Sequence, residues 1–360
     1  MICYLRASTV QYDVRLQKYI QACEETHTPY IAFTWDRVQN CTKVYDNEIQ
    51  FKRLSPYGRK WKNLFNLILW HFHLIKLLFL YRKEYKVIHA CNIETILPAL
   101  FMKMFGKKVA FDIYDSVIIP VEKFVSKHLV DLLILPNVRR CEQIGITKDQ
   151  VKHFLEIENV PSFSTSVLPQ IEHNIQESIH LSYVGVFERQ MRGLENLIQE
   201  VVENSSLTLD IAGIGAGLEQ MVKDAAQKTK RIVYHGSVDY PTALKIMGKS
   251  DFIVAMYYHI NPLHQFASPN KYYESLFLGV PMITTSNTLV GNMAVENKTG
   301  YAIGETRQDL HEFLTKALTL SFKKSYNEYA NNASSLWKEK FSNYWQKELC
   351  DNYLQTLSLI

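Results

Sequence analysis

Strand-like and helix-like segments alternate along the whole chain, in two separate series. The first series runs from ICYLRAS to LLILP, and the second runs from HLSYVGVF to YAIG. Such alternation is typical of parallel sheets that are covered by helices. The sequence therefore predicts an α/β protein with two doubly wound, Rossmann-like domains, which bind ligands beyond the carboxyl ends of their strands.

A stretch rich in Ser and Pro, NVPSFSTSVLPQIEHNIQES, separates the two series. It has no clear periodicity and is typical of a linker, so we place the boundary near residues 161–179. The 360 residues are enough for two domains of ordinary size. We predict a first domain over residues 1–165 and a second over residues 175–337, followed by an amphipathic helix over residues 338–360.

The composition argues against several classes of function. The formal net charge of +4 is small for a protein that needs a dense basic face to bind nucleic acid. The six cysteines form no C-x-x-C pair and no His cluster accompanies them, which indicates a reducing compartment without disulfides or structural zinc. The first residues, MICYLRAST, are typical of a strand and not of a signal peptide, so we expect a cytoplasmic protein.

Residues 57–86 form an apolar and basic segment, in which Glu84 is the only acid against seven Lys or Arg. At the helical spacing of about 100° per residue, five polar side chains fall on one stripe: Lys62, Asn66, His73, Lys76 and Lys83. One interpretation is a helix that packs on the first sheet and has one solvated stripe. A second is a helix that lies in the membrane interface and attracts anionic lipid. A third is a membrane span, although His71, His73 and Lys76 interrupt the apolar run.

The stretch SPNKYYESLFLGVPMITT, residues 268–285, predicts a loop, a short helix and a strand. Ser268 suits the N-cap of this helix, and Gly279 can end it. Free backbone N–H groups and the positive end of the dipole make a helix N-terminus a site for an anion. Lys271 in the first turn opposes the dipole, so its position requires either a bound anion or a nearby carboxylate such as Glu274.

Two turns of the second series could also bind phosphate. Arg189 and Arg192 follow the strand that ends at Gly185, and two guanidinium groups suit a diphosphate, although a pair of surface arginines would give the same pattern. Gly213 and Gly215 follow the next strand, in LDIAGIGAG. Glycines there let a ligand approach the backbone, but a tight turn alone would need them as well. Each motif by itself is weakly specific.

The order of the motifs is more specific than any one of them. Six motifs follow one another over residues 180–304: a strand-end Gly with basic residues, Ile-Ala-Gly-x-Gly, His-Gly, Ser-Asp before a strand, Ser-Pro-Asn-Lys-x-x-Glu and Gly-x-Pro. This order resembles the glycosyltransferase family 4 type of GT-B enzymes, and YKVIHACN, KKVAFDIYDS and FLEIENVPS extend the resemblance to the first half. The resemblance implies two Rossmann-like domains that face each other across a cleft, with the C-terminal helix bracing the first domain.

The resemblance also implies three catalytic residues. Glu274 would hold the ribose hydroxyls of a nucleotide sugar, Arg192 would contact its diphosphate, and Lys271 would lie beside the sugar or the diphosphate. Other residues would bind the donor: Gly185, Arg189, Gly213, Gly215, His235, Val238, Ser268 and Asn270.

The acceptor would bind to the first domain. Asp112 and Asp115, at the end of a strand, are candidates to orient it, although a strand-end turn in which one Asp caps the next helix would also explain them. Asp13 lies in what resembles a variant of the family's first loop. Three residues depart from the family's usual pattern, in which Glu, Arg and His stand at the positions of Phe266, Val186 and Tyr114.

The activity that the resemblance implies is a retaining transfer from a nucleotide sugar, with UDP as the expected nucleotide. The Ser-Pro-Asn-Lys form is similar to that of enzymes that build bacterial capsules or exopolysaccharides, so we expect a lipid-linked or polysaccharide acceptor. We expect no metal or other cofactor, and a peripheral position on the inner face of the cell membrane through residues 57–86. Two alternatives stay open: a nucleotide-sugar epimerase of the same fold, and a non-catalytic homologue that binds a glycan or a protein.

Overall fold

The computed structural model describes residues 1–39, 43–55, 60–161, 178–215 and 217–360. The chain divides into two compact units, of which the first comprises Met1–Glu158 with Asn343–Ile360 and the second comprises Asn159–Ser342. Most of the linker predicted near residues 161–179 lies outside the described residues. Each unit is built around one parallel sheet, so the prediction of two doubly wound, Rossmann-like sheets is confirmed.

The sheet of the first unit has seven parallel strands: β1 (Ile2–Arg6), β2 (Tyr30–Asp36), β3 (Glu48–Lys52), β4 (Val87–Cys91), β5 (Lys108–Asp112), β6 (Leu132–Leu135) and β7 (Phe154–Glu156). Their order is β3-β2-β1-β4-β5-β6-β7. Every residue of β2 and β4 is buried, as expected for strands that are covered on both faces.

The helices of the first unit cover the two faces of this sheet: α1 (Val14–Glu25), α2 (Lys60–Leu80), α3 (Ile93–Lys103), α4 (Ile119–His128) and α5 (Arg140–Ile144). Buried residues of α1 form one core with those of the C-terminal helical segments, while α2 to α5 contribute to the core on the other face. The C-terminal segment is attached through Tyr353, whose hydroxyl lies 2.8 Å from His89 Nδ1 and donates to the Tyr4 hydroxyl. The C-terminal segment thus completes the core that contains α1.

Helix α2 turns a different face to solvent from the one predicted. Asn66 is buried because its amide oxygen accepts from Arg53 Nε at 2.6 Å and its amide nitrogen donates to the Leu54 carbonyl. His73 is half-buried, with its ring centroid 4.8 Å from that of Phe51. The predicted solvated stripe is therefore wrong at these two positions, although Lys76 is exposed. Large apolar side chains occupy most of the solvent face: Leu64, Phe65, Ile68, Phe72 and Leu80.

The second unit has six parallel strands: β8 (Ile179–Val184), β9 (Leu207–Ala212), β10 (Ile232–Tyr234), β11 (Phe252–Val254), β12 (Met282–Thr285) and β13 (Gly300–Ile303). Their order is β10-β9-β8-β11-β12-β13, so the order reverses between β8 and β11. The helices that connect and follow these strands are α6 (Leu194–Glu203), α7 (Glu219–Lys228), α8 (Tyr240–Gly248), α9 (Asn270–Leu278), α10 (Leu289–Glu296), α11 (Arg307–Ala317) and α12 (Leu320–Leu336). In open sheets of this kind, a ligand binds where the strand order reverses.

Candidate functional site

A cavity of about 270 Å³ lies at the carboxyl ends of β8 and β11. Its wall includes Gly185 and Arg192 from the turn after β8, Tyr257 from the loop after β11, and Asn270 and Lys271 from the first turn of α9. These residues are distant in the sequence and meet because β8 and β11 are neighbours in the sheet. The structure thus brings together four residues that were predicted for the donor site, at the position where such sheets bind ligands.

The N-terminus of α9 differs from the prediction. The helix begins at Asn270, with Pro269 as an N-cap that makes no side-chain cap hydrogen bond. The hydroxyl of Ser268 was expected to cap this helix, but it is buried and has no hydrogen-bond partner in the described part of the chain. Instead, the Ser268 carbonyl accepts from the Asn159 amide at 2.7 Å, and this contact fixes the segment that precedes the helix. Because no side chain caps the helix end, its N–H groups and its dipole can serve an anion.

Glu274 is one turn into α9 and only 1% exposed. Lys271 Nζ donates to its Oε2 at 2.7 Å, so the Lys–Glu pair considered above is present. The hydroxyl of Tyr240, the first residue of α8, donates to Oε1 at 3.1 Å. Glu274 is therefore engaged by two side chains and almost without exposed surface, and its predicted contact with the ribose hydroxyls stays a prediction.

Arg192 is fixed by two contacts at the cavity wall. Its Nε donates to Glu188 Oε2 at 2.6 Å, and its guanidinium lies 4.7 Å from the centroid of the Tyr257 ring. Burial raises the pKa of Tyr257 to about 12 although Arg192 opposes the shift, so this ring stays neutral at physiological pH. A guanidinium fixed in this way retains donors for an oxyanion.

Arg189 does not join Arg192 at this cavity. It lines a separate cavity of about 420 Å³ and donates to the Gly217 carbonyl at 3.0 Å. The turn that carries both arginines includes Gln190 and Gly193 in the left-handed region, with φ of 59° and 68°. Residues three apart in such a turn do not share a face as they would on a helix. The predicted help of Arg189 at the diphosphate is therefore not supported by its position.

Gly213 and Gly215 are explained by the packing of two loops. A Cβ at Gly213 would lie 1.8 Å from the Gly185 carbonyl oxygen, and one at Gly215 would lie 2.1 Å from the Phe187 carbonyl oxygen. The loops after β8 and β9 thus touch backbone to backbone. Close packing accounts for these two glycines, and their predicted place beside the nucleotide stays a prediction.

His235 and Val238 belong to the segment between β10 and α8. His235 Nε2 lies 2.6 Å from Asp210 Oδ1, and the other carboxylate oxygen lies 2.7 Å from His180 Nε2. The hydrogen bond with Asp210 raises the pKa of His180. Asp210 also holds the His235 ring, through its other carboxylate oxygen. Val238 precedes Asp239, the N-cap of α8, and so leads to Tyr240. The roles of His235 and Val238 beside a base stay predictions.

The acceptor candidates in the first unit differ in exposure. Asp112 is fully buried, where it accepts two hydrogen bonds from Arg15 and one from the Tyr19 hydroxyl. Burial alone would raise the pKa of Asp112, but Arg15 and His89 lower it to about 2. A carboxylate without exposed surface cannot touch an acceptor, so the predicted role of Asp112 is corrected to a structural one.

Asp13 is also engaged within the first unit. It accepts from the Leu16 N–H at 2.8 Å as the N-cap of α1, and it forms an ion pair with Arg6. Asp115, by contrast, is exposed, and its predicted contact with an acceptor stays a prediction.

Comparison with known proteins matches the second unit to a family model and the whole chain to solved structures. Residues 178–321 match the family model described as "Glycosyl transferases group 1". No curated protein sequence matches the chain. Among solved structures, the sucrose-phosphate synthase of Thermosynechococcus elongatus has a TM-score of 0.75 at 12% identity, with 100% of each chain covered. HepE of Anabaena in complex with UDP has a TM-score of 0.71 at 14% identity, again with 100% of each chain covered.

A third similar structure is WaaG, described as a glycosyltransferase involved in lipopolysaccharide biosynthesis. Its TM-score is 0.67 at 12% identity, with 98% of this chain and 99% of WaaG covered. At these identities the structural likeness establishes the fold.

Proposed function

We propose that this chain, which has the GT-B fold and matches the group 1 glycosyltransferase model over residues 178–321, is a glycosyltransferase that moves a sugar from a UDP-linked donor to a lipid-linked or polysaccharide acceptor. The proposal includes retention of the anomeric configuration, a role in surface polysaccharide synthesis, and a cytoplasmic position at the inner face of the membrane. The resemblance of the Ser-Pro-Asn-Lys motif and its neighbours supports these finer points.

The observation that carries the proposal is the cavity in front of α9. It combines Arg192, Lys271 and an N-terminus without a side-chain cap on one wall. Transfer from a nucleotide sugar expels a diphosphate, and stabilisation of that leaving charge is the main task of such an enzyme. Two cations and a helix dipole can supply it, so the proposal requires no metal.

The roles of the side chains follow from their contacts. Arg192, held by Glu188 and Tyr257, would bind the diphosphate with its remaining donors. Lys271, 2.7 Å from Glu274, would lie between the Glu274 carboxylate and the phosphates of the donor. Glu274 would accept from the two ribose hydroxyls. HepE structures contain UDP, glucose and UDP-glucose, which supports uridine as the nucleotide of this proposal.

Thermal denaturation with UDP, GDP, dTDP and ADP tests the donor. A nucleotide at one hundred times its dissociation constant adds about 2.7 kcal/mol to the free energy of unfolding, which raises the midpoint by a few degrees. We expect a shift with UDP that Lys271→Met greatly reduces. Lys298→Met is the matched control, because Lys298 pairs with the exposed Glu328 at the surface of the same unit. Equal shifts in both variants would contradict the assigned site.

Product analysis separates the transferase from the alternatives. We expect labelled sugar from the UDP-sugar to appear on an added lipid-linked or polysaccharide acceptor, in the anomeric configuration of the donor. An interconverted UDP-sugar formed without acceptor would indicate an epimerase. The absence of any nucleotide-dependent shift or product would favour a non-catalytic binding role.

A further inference from the structure

We infer that the solvent faces of α2 and α3 together form a docking surface for an anionic lipid bilayer. The inference rests on the membrane position that is part of the proposed function, and it deepens that proposal by naming the surface that touches the bilayer. It is independent of the nucleotide site, which lies in the other unit.

The solvent faces of both helices carry large apolar side chains. On α2, Phe72 is 68% exposed and Leu80 is 67% exposed. On and directly after α3, Leu97 is 62% exposed and Met104 is 79% exposed. Isolated exposed apolar residues are ordinary, but a contiguous group of them marks an interaction site.

The apolar side chains of the two helices are contiguous. The ring of Phe79 on α2 lies 5.9 Å from that of Phe101 and 4.9 Å from that of Phe105, measured between centroids. Phe101 and Phe105 lie 5.7 Å from each other. This aromatic contact joins the exposed ends of α2 and α3 into one apolar ridge.

Exposed basic residues lie in the last turns of α2 and directly after this helix. Lys76, Arg82, Lys83 and Lys86 are all exposed, and Glu84 is the only acid among residues 76–86. An apolar ridge with cations beside it suits the interface of a bilayer, where the rings enter the headgroup region and the cations meet anionic lipid. Apolar insertion alone and charge attraction alone each give only weak membrane binding, so the two together make a stable contact.

The packing of α2 argues against a membrane span. By length and composition, the window Asn63–Leu80 could cross a bilayer. However, Trp70, Leu74 and Leu78 of the same helix are fully buried in the core of the first unit. Insertion across a bilayer would remove these side chains from the core, so the helix lies on the surface and does not cross it.

The charge pattern argues against a second copy of this chain as the occupant. A twofold dimer presents the same surface from both subunits. It would bring the cations of one copy towards those of the other around an apolar contact, and like charges in proximity cost affinity. An anionic bilayer instead offers the opposite charge across the whole surface.

Vesicle co-sedimentation tests the inference with the full chain. We expect binding to vesicles that contain phosphatidylglycerol, weaker binding to pure phosphatidylcholine, and a decrease at 0.5 M salt. Phe72→Ser with Met104→Ser should weaken binding roughly tenfold or more, because each removes a large apolar side chain from the interface. Lys76→Glu with Lys83→Glu should remove the preference for phosphatidylglycerol.

The matched control is Leu359→Ser, because Leu359 is 77% exposed at the C-terminus of the first unit. It should bind vesicles like the unsubstituted protein. A UDP-dependent thermal shift in every variant shows that the second unit is intact, so loss of vesicle binding can be separated from failure of the proposed donor. Equal vesicle binding by all variants, or no binding at low salt, overturns the inference. Self-association that Phe72→Ser abolishes would overturn it in favour of a second copy.

Discussion

The hydroxyl of Tyr240 should govern how well the protein holds the ribose of its donor. The structure places this hydroxyl 3.1 Å from Glu274 Oε1, opposite the 2.7 Å contact of Lys271 with Oε2. The substitution Tyr240→Phe removes only the hydroxyl and keeps the ring. Two effects of opposite sign follow: the carboxylate gains an acceptor position for ribose, and it loses a contact that fixes its orientation.

The second effect should dominate. A carboxylate offers about four acceptor positions, so Tyr240, Lys271 and two ribose hydroxyls do not compete for the same ones. Reordering a side chain when a ligand binds costs about 0.5–1.5 kcal/mol. We therefore expect the dissociation constant of UDP to rise roughly two- to tenfold in Tyr240→Phe. Isothermal titration of UDP and of 2′-deoxy-UDP measures this directly.

The deoxynucleotide identifies the cause. It lacks one of the hydroxyls that Glu274 would accept, so Tyr240→Phe should weaken its binding less than that of UDP. Tyr326→Phe is the control, because Tyr326 donates to the Asp251 carbonyl in the same unit without contact with Glu274. Unchanged or tighter UDP binding in Tyr240→Phe, or an equal loss for both nucleotides, would refute the reasoning.

Three further predictions concern stability. Gly213→Ala should lower the free energy of unfolding by more than about 2 kcal/mol in a urea titration, because its Cβ would lie 1.8 Å from the Gly185 carbonyl oxygen. Gly217→Ala should cost less, because its Cβ would have no heavy atom of the described residues within 4 Å. Asp112 has a pKa that is lowered from 3.8 to about 2, so above pH ~4 it should add about 2 kcal/mol to the free energy of unfolding. This contribution is lost as the pH falls towards 2. Asp112→Asn should be less stable at pH 7 and should lack this part of the acid dependence, and equal acid dependence in both proteins would contradict it. Tyr353→Phe should cost about 1 kcal/mol in the same titration through its lost hydrogen bonds to His89 and Tyr4, and an unchanged midpoint would show that they do not stabilise the fold.

The sequence was sufficient for the fold class because alternation is a local signal. Each buried strand, such as β4 in KVIHAC, and each following helix can be read from its own residues. The position of the cavity also follows, since parallel strands end at a common edge. Gly185, Arg192, Asn270 and Lys271 therefore meet where their order along the chain predicts.

The failures arise where a side chain has a partner that is distant in the sequence. Asn66 is polar and was expected in solvent, but Arg53 and the Leu54 carbonyl satisfy it inside the fold. Asp112 was expected at an acceptor, but Arg15 from α1 neutralises it in the core. The periodicity of a sequence shows which residues are polar but not which partners they have in the fold. In the sequence, a buried polar group with hydrogen-bond partners therefore cannot be told from an exposed one.

Tyr240 was missed for the same reason. Its segment, SVDYPT, shows a good N-cap followed by Pro, which explains the start of α8 without any functional role. Only the packing of α8 beside α9 brings its hydroxyl to Glu274. A sequence can thus identify the charged member of such a cluster more readily than the neutral side chain that orients it.

The arrangement around Glu274 also explains why a cation is placed where the helix dipole opposes it. Lys271 in the first turn of α9 is unfavourable by itself, and the 2.7 Å contact with Glu274 offsets this in the free protein. In the proposed complex, the diphosphate supplies negative charge to both the helix end and Lys271, while the ribose hydroxyls supply donors to Glu274. The ion pair therefore keeps the site assembled before the donor arrives, and less reordering remains to oppose binding.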